Sequence, residues 1–197
     1  MDLFLKCIIG IISFVDLDIE RLTFMAKIFE IKASLVGVKH EISRTFKVDS
    51  DISLQVLHEV FQALFAWENF HLHFYRDSQG GDIPIKKEDQ VPLARVLSKG
   101  HNLTYVYDYG DSWTIDLELL NSFDDSTPGI YPLCIGGVRK APPEDSGGVT
   151  GYEMALELIK GERRKNYSLI SEWYGDDYDP EYFNIDEVNK ALNQLRG

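Results

Sequence analysis

Trp113, Ile115, Leu117 and Leu119 fall on one side of a strict period-two alternation, with Thr114, Asp116 and Glu118 on the other. That pattern fits a strand with one face on a core and one face in water. A second β-rich run, Leu103 to Tyr109, precedes it, and Gly110-Asp111 between them marks a tight turn for which glycine supplies positive φ. The chain therefore folds around a hairpin. The segment Tyr105 to Leu119 (YVYDYGDSWTIDLEL) is closely followed by Tyr131 to Tyr152 (YPLCIGGVRKAPPEDSGGVTGY). Both place aromatics, acidic residues, Gly and Pro where periodicity does not demand them.

The rest of the chain supplies the partners. Ala26 to Gly37 and Glu41 to Val48 read as strands, and Asp49-Ser50-Asp51 breaks the pattern. Ser53 is placed to cap a helix in which Leu54, Leu57, His58, Phe61, Leu64 and Phe65 form one stripe. His71 to Arg76 reads as a short strand, Pro92 to Leu97 as a brief helix, and Asn121 to Pro128 as a polar loop. Thr150 with Glu153, and Asn184 with Glu187, have capping-box spacing ahead of two C-terminal helices. This order is α+β and predicts a single domain. Its ββαβ opening is β-grasp-like by element order, followed by a β-hairpin and C-terminal helices.

Composition narrows the function classes. Twelve net negative charges on 197 residues exclude non-specific nucleic-acid binding, which needs clustered Lys and Arg. Arg163-Arg164-Lys165 is a short basic group that reads as a solvated helix end. Cys7 and Cys134 make neither a disulfide framework nor a metal spacing, so a cytoplasmic location is expected. The apolar run Leu3 to Val15 is too short for a membrane helix, and acidic residues flank it on both sides. Residues 1–24 are read as an extension outside the domain, which then covers 25–197.

Two constellations carry chemistry. Tyr107-Asp108-Tyr109-Gly110-Asp111-Ser112-Trp113 places two carboxylates beside aromatic rings. It reads either as a recognition surface or as a turn whose Asp side chains accept backbone N–H groups while Trp113 enters the core. Pro142-Pro143-Glu144-Asp145-Ser146-Gly147-Gly148 offers two further carboxylates, which suit either a hard cation or the dipole of the following helix. His71 and His73 share a strand face but lack a third ligand at recognisable spacing, and read as satisfied polar residues. Cys134 reads as a buried structural thiol. No phosphate loop, nucleophile elbow or zinc-protease motif is present in the sequence.

These segments resemble the plasmid pRiA4b ORF-3-like family, whose members also carry mobile-element passenger and resolvase-like labels. The resemblance runs from about Met25 to the C-terminus. Besides the two constellations it includes Asp51-Ile52-Ser53-Leu54, Leu57-His58-Glu59-Val60, His71-Leu72-His73-Phe74, Trp173-Tyr174-Gly175-Asp176-Asp177 and Tyr178-Asp179-Pro180-Glu181-Tyr182-Phe183. It implies a compact α+β domain, bacterial or archaeal, with no assigned chemistry. Relatives often carry His at the position of Ile115 and Cys at those of Ala141 and Ser146, so a zinc site does not carry over. A recombinase would need a nucleophilic Ser among arginines, and this chain has no such group. The expectation is a binding or interaction module without catalytic residues, metal or cofactor. Tyr107, Asp108, Tyr109, Asp111, Trp113, Glu144 and Asp145 would form its surface for a protein or small-molecule partner, away from membranes. The alternative is a metal-assisted hydrolase or nuclease using Asp108, Asp111, Glu144 and Asp145.

Overall fold

The computed structural model describes residues 26–125, 129–160, 171–175 and 177–196. The extension expected over residues 1–24, with Cys7, and the basic trio at 163–165 lie outside them. Seven strands form one sheet in the order β4-β3-β5-β6-β1-β2-β7: β1 (Ala26–Leu35), β2 (Ser43–Asp49), β3 (His73–Arg76), β4 (Asp82–Ile83), β5 (Leu103–Tyr107), β6 (Trp113–Asp125) and β7 (Leu133–Val138). Every pairing is antiparallel.

The helices are α1 (Leu54–Phe65), α2 (Leu93–Val96), α3 (Gly148–Lys160), α4 (Ser171–Tyr174) and α5 (Ile185–Asn193), with a 3-10 turn at Ile85–Gln90. The domain is thus α+β, as expected. The strand order does not confirm the β-grasp likeness: β1 lies between β2 and β6, and β3 joins the sheet beyond β5.

One face of the sheet is dry and the other wet, the usual division in antiparallel sheets. Ile31, Ala33 and Leu35 of β1, Phe46 and Val48 of β2, and Trp113, Ile115 and Leu117 of β6 are buried. Opposite them, Lys32 pairs with Glu41 and the Thr104 hydroxyl donates to Asp116. The stripe of α1 is buried throughout, and Ser53 caps it by accepting the Val56 N–H. Asn184 caps α5, whose body packs on β7 and α1.

Three local expectations are corrected. The β5–β6 turn takes its positive φ at Asp108 and Ser112 rather than at Gly110. Asn121 to Asp125 is strand, because its backbone pairs with Ala26 to Glu30 despite a polar sequence; residues 126–128 lie outside the described ones. Finally, α3 begins at Gly148, so Thr150 is already inside it. The Glu153 carboxylate meets the Lys39 backbone N–H instead, at 2.8 Å.

Candidate functional site

The two constellations meet. Trp67 on the loop after α1 donates its indole N–H to the Pro142 carbonyl at 3.0 Å, fixing the Pro-Pro segment against the core. The Tyr107 hydroxyl accepts the His71 backbone N–H and donates to Glu144 Oε1, so a single phenol ties three segments together. Burial and the Glu144 carboxylate both push this phenol well above its ordinary pKa. Asp111 Oδ2 accepts the Gly147 N–H at 3.0 Å. Glu144 and Asp111 therefore act as struts between the hairpin turn and the loop.

Asp108 is 7% exposed and adopts left-handed backbone, φ 60°. Its N–H donates to the Leu72 carbonyl, and its Oδ1 accepts the Gly110 N–H at 2.8 Å. The second oxygen, Oδ2, faces His71 Nδ1 at 3.6 Å. On the other side of the imidazole, Asp145 Oδ1 lies 3.3 Å from His71 Nε2, and Asp145 is itself left-handed, φ 56°. That Nε2 is buried, and its approach to Asp145 lacks hydrogen-bond alignment. Ligand atoms of His71, Asp108 and Asp145 all lie within 4.8 Å of one another. Donors sharing one ion through bonds of ~2.0–2.2 Å sit closer than this, and the two carboxylates approach different ring nitrogens, so one of them would have to move for a single ion to take all three residues.

The expected surface residues thus divide. Asp108 and Asp145 form the cluster; Glu144 and Asp111 brace it; Tyr107 and Trp113 have fully buried rings and offer no surface; Tyr109 is exposed. The four-carboxylate set of the hydrolase alternative does not assemble, and the third member is His71. Sequence spacing misses it because its partners come from the hairpin turn and a distant loop. The expected strand face shared with His73 is not formed, because β3 begins at His73 and leaves His71 on the preceding loop, while His73 turns to Glu88, 2.8 Å away. Cys134 is buried, and burial raises its thiol pKa.

An all-antiparallel sheet packed against helices, with a His–Asp–Asp cluster where hairpin and loop meet, makes this an α+β domain. The chain belongs to the plasmid pRiA4b ORF-3-like family, whose model matches residues 27–187. It is 31% identical over 183 residues to the uncharacterized protein y4hQ of Sinorhizobium fredii (strain NBRC 101917 / NGR234), covering 87% of this chain and 93% of that one. The crystal structure of a protein of unknown function, MM3350 from Methanosarcina mazei Go1, is similar with a TM-score of 0.75 and 32% identity. That likeness covers 82% of this chain and 97% of the other. Among the described residues, no helix is long and apolar enough to cross a membrane.

Proposed function

We propose that the protein is a binding module whose site is the His71–Asp108–Asp145 cluster, and that the group it takes is a divalent cation. The observation carrying this reading is the proximity of one imidazole and two carboxylates from three separate segments, with ligand atoms within 4.8 Å of one another. Two of the three sit on left-handed non-glycine backbone, a local cost that concentrates at functional positions. Mixed nitrogen and carboxylate donors suit zinc or manganese better than magnesium, which takes oxygen. Metal-assisted hydrolysis is the second reading. Three protein donors leave coordination positions for water, and Asp145 borders solvent.

Manganese titration followed by water-proton relaxation tests the first reading. One ion per chain is expected, with zinc competing for it. Asp145→Asn, on a side chain 64% exposed, should keep the fold and weaken binding by about 100-fold or more, since even outer-sphere partners of a metal matter by about 10–100-fold. Equal affinity in wild type and Asp145→Asn would overturn the assignment. Manganese-dependent cleavage of bis(p-nitrophenyl) phosphate, lost in Asp145→Asn, would favour the second reading.

A further inference from the structure

Arg44 is a cation placed on the core face of β2, in phase with Phe46 and Val48, and it is only 4% exposed. Its Nε donates to the Leu64 carbonyl at 2.9 Å, and its Nη1 donates to the carbonyls of Ser43 and Val138 at 2.7 and 3.0 Å. Those bonds use three of the five N–H donors of a guanidinium. The two on Nη2 have no acceptor among the described residues, and no carboxylate there pairs with the charge. The rings of Phe65 and Phe183 lie 5.3 and 4.8 Å from the guanidinium carbon, closing off water further. Burial lowers the pKa to about 10, which leaves the group charged at neutral pH.

A buried charge costs free energy unless it is paired, and backbone carbonyls supply only partial charge. Arg44 also lines a cavity of about 290 Å³. Its walls include Phe65, Pro142, Pro143 and Phe183, and Lys140 stands on it as a second cation. This volume is near the lower end of small-molecule sites, about 300–1,000 Å³. Glu187 lines the same cavity, so a doubly charged phosphate would meet a like charge.

We propose that this cavity binds a small organic monocarboxylate with a flat apolar body, its carboxylate directed at Arg44 Nη2 and Lys140. Arg44 is largely desolvated before any ligand arrives, so an anion entering the cavity gains an ion pair where water competes less than at an exposed guanidinium. The proline and aromatic walls suit a ring or a short branched chain. The site is independent of the metal cluster; the two have only the Pro-Pro segment leading into Glu144 and Asp145 in common.

The test is an NMR titration of the full chain, following the Arg44 Nε–H and the amides of Ala141 and Val188, with phenylacetate, phenylacetamide and inorganic phosphate. Phenylacetate should give saturable shifts at all three positions by about 10 mM, within the range of weak specific binding. The neutral amide should bind at least about tenfold more weakly, a difference of ~1.4 kcal/mol. Lys140 is exposed and its ammonium lies over the Tyr178 ring, so Lys140→Met should lower the melting temperature by no more than a few degrees while weakening phenylacetate about fivefold. Absence of saturable shifts with phenylacetate, an equal response to the amide, or tighter binding of phosphate would each overturn the proposal.

Discussion

The imidazole of His58 stacks on that of His73 with ring centroids 3.7 Å apart and planes 7° from parallel. His58 is buried, with Nδ1 2.7 Å from the Tyr105 hydroxyl and Nε2 2.8 Å from Asn69 Oδ1. His73 Nε2 faces Glu88, whose carboxylate is also buried. A charge on the His58 ring would therefore be buried and set directly against the His73 ring. Burial first, and the neighbouring His73 second, lower the His58 pKa to about 4.

This arrangement predicts an acid-sensitive fold. Between the ordinary histidine pKa of 6.5 and about 4, the unfolded chain binds a proton at His58 that the folded chain does not. Stability then rises with pH across that window, so the contribution of His58 is complete above 6.5 and is lost as pH falls toward 4. The effect should be on the order of 1–3 kcal/mol. Urea midpoints at stepped pH should show this slope in wild type and a shallower one in His58→Gln.

Asp111→Ala should lower stability by about 1 kcal/mol, because a charged acceptor is removed from the Gly147 N–H at a partly exposed position. Asp111→Asn keeps an acceptor and should lose less. Chemical denaturation of the two variants distinguishes a strut from a ligand, since neither change should alter manganese affinity by more than a few-fold.

Gly148→Ala should be far more damaging. Gly148 has φ 64°, and a Cβ there would collide with the Asp111 carbonyl oxygen, which is backbone and cannot swing aside. Left-handed strain and overlap together predict a loss of about 3 kcal/mol or more. A melting temperature within a degree or two of wild type would show that the hairpin turn and the start of α3 are not packed this closely.

Tyr107→Phe removes the hydroxyl that joins His71, Glu144 and the hairpin while leaving the buried ring in place. Stability should fall by about 1.5–3 kcal/mol, the range for a lost hydrogen bond to a charged group. Manganese affinity should fall as well, because the loop carrying Asp145 loses its tether. A variant with reduced stability and unchanged affinity would show that the tether does not position the ion site.

What the sequence revealed depended on whether local pattern and tertiary demand agreed. They agree in α1, where the stripe from Leu54 to Phe65 and the Ser53 cap coincide with burial and capping. They diverge in β7. Its Gly136-Gly137 pair argues against strand, yet a Cβ on Gly137 would run into the Phe183 ring, so glycine is there to let α5's entry approach the sheet. The hairpin was legible as a hairpin, but its left-handed residues were not, because nothing in the local sequence marks which non-glycine residue takes that conformation.

The site was half legible for a similar reason. Asp108 and Asp145 stood out as acidic residues in unusual turns, whereas His71 gains meaning only when three distant segments meet. Tyr107 and Trp113 stood out for their size, and that size takes them into the core. Arg44 went unnoticed, although a basic residue in phase with Phe46 and Val48 breaks the alternation of β2.

The position of β1 has a consequence for synthesis. β1 lies inside the sheet, and its second neighbour, β6, ends at Asp125. A nascent chain can form the β1–β2 hairpin early, but one edge of β1 and the apolar side chains of Ile28, Ile31 and Leu35 then wait for most of the domain to leave the ribosome. Closure also waits for β7, which pairs with β2, and for α5, which packs on β7. Termination near the end of β6 would release a polypeptide with an open edge at β2. Such a truncated chain would expose that strand edge and be prone to associate.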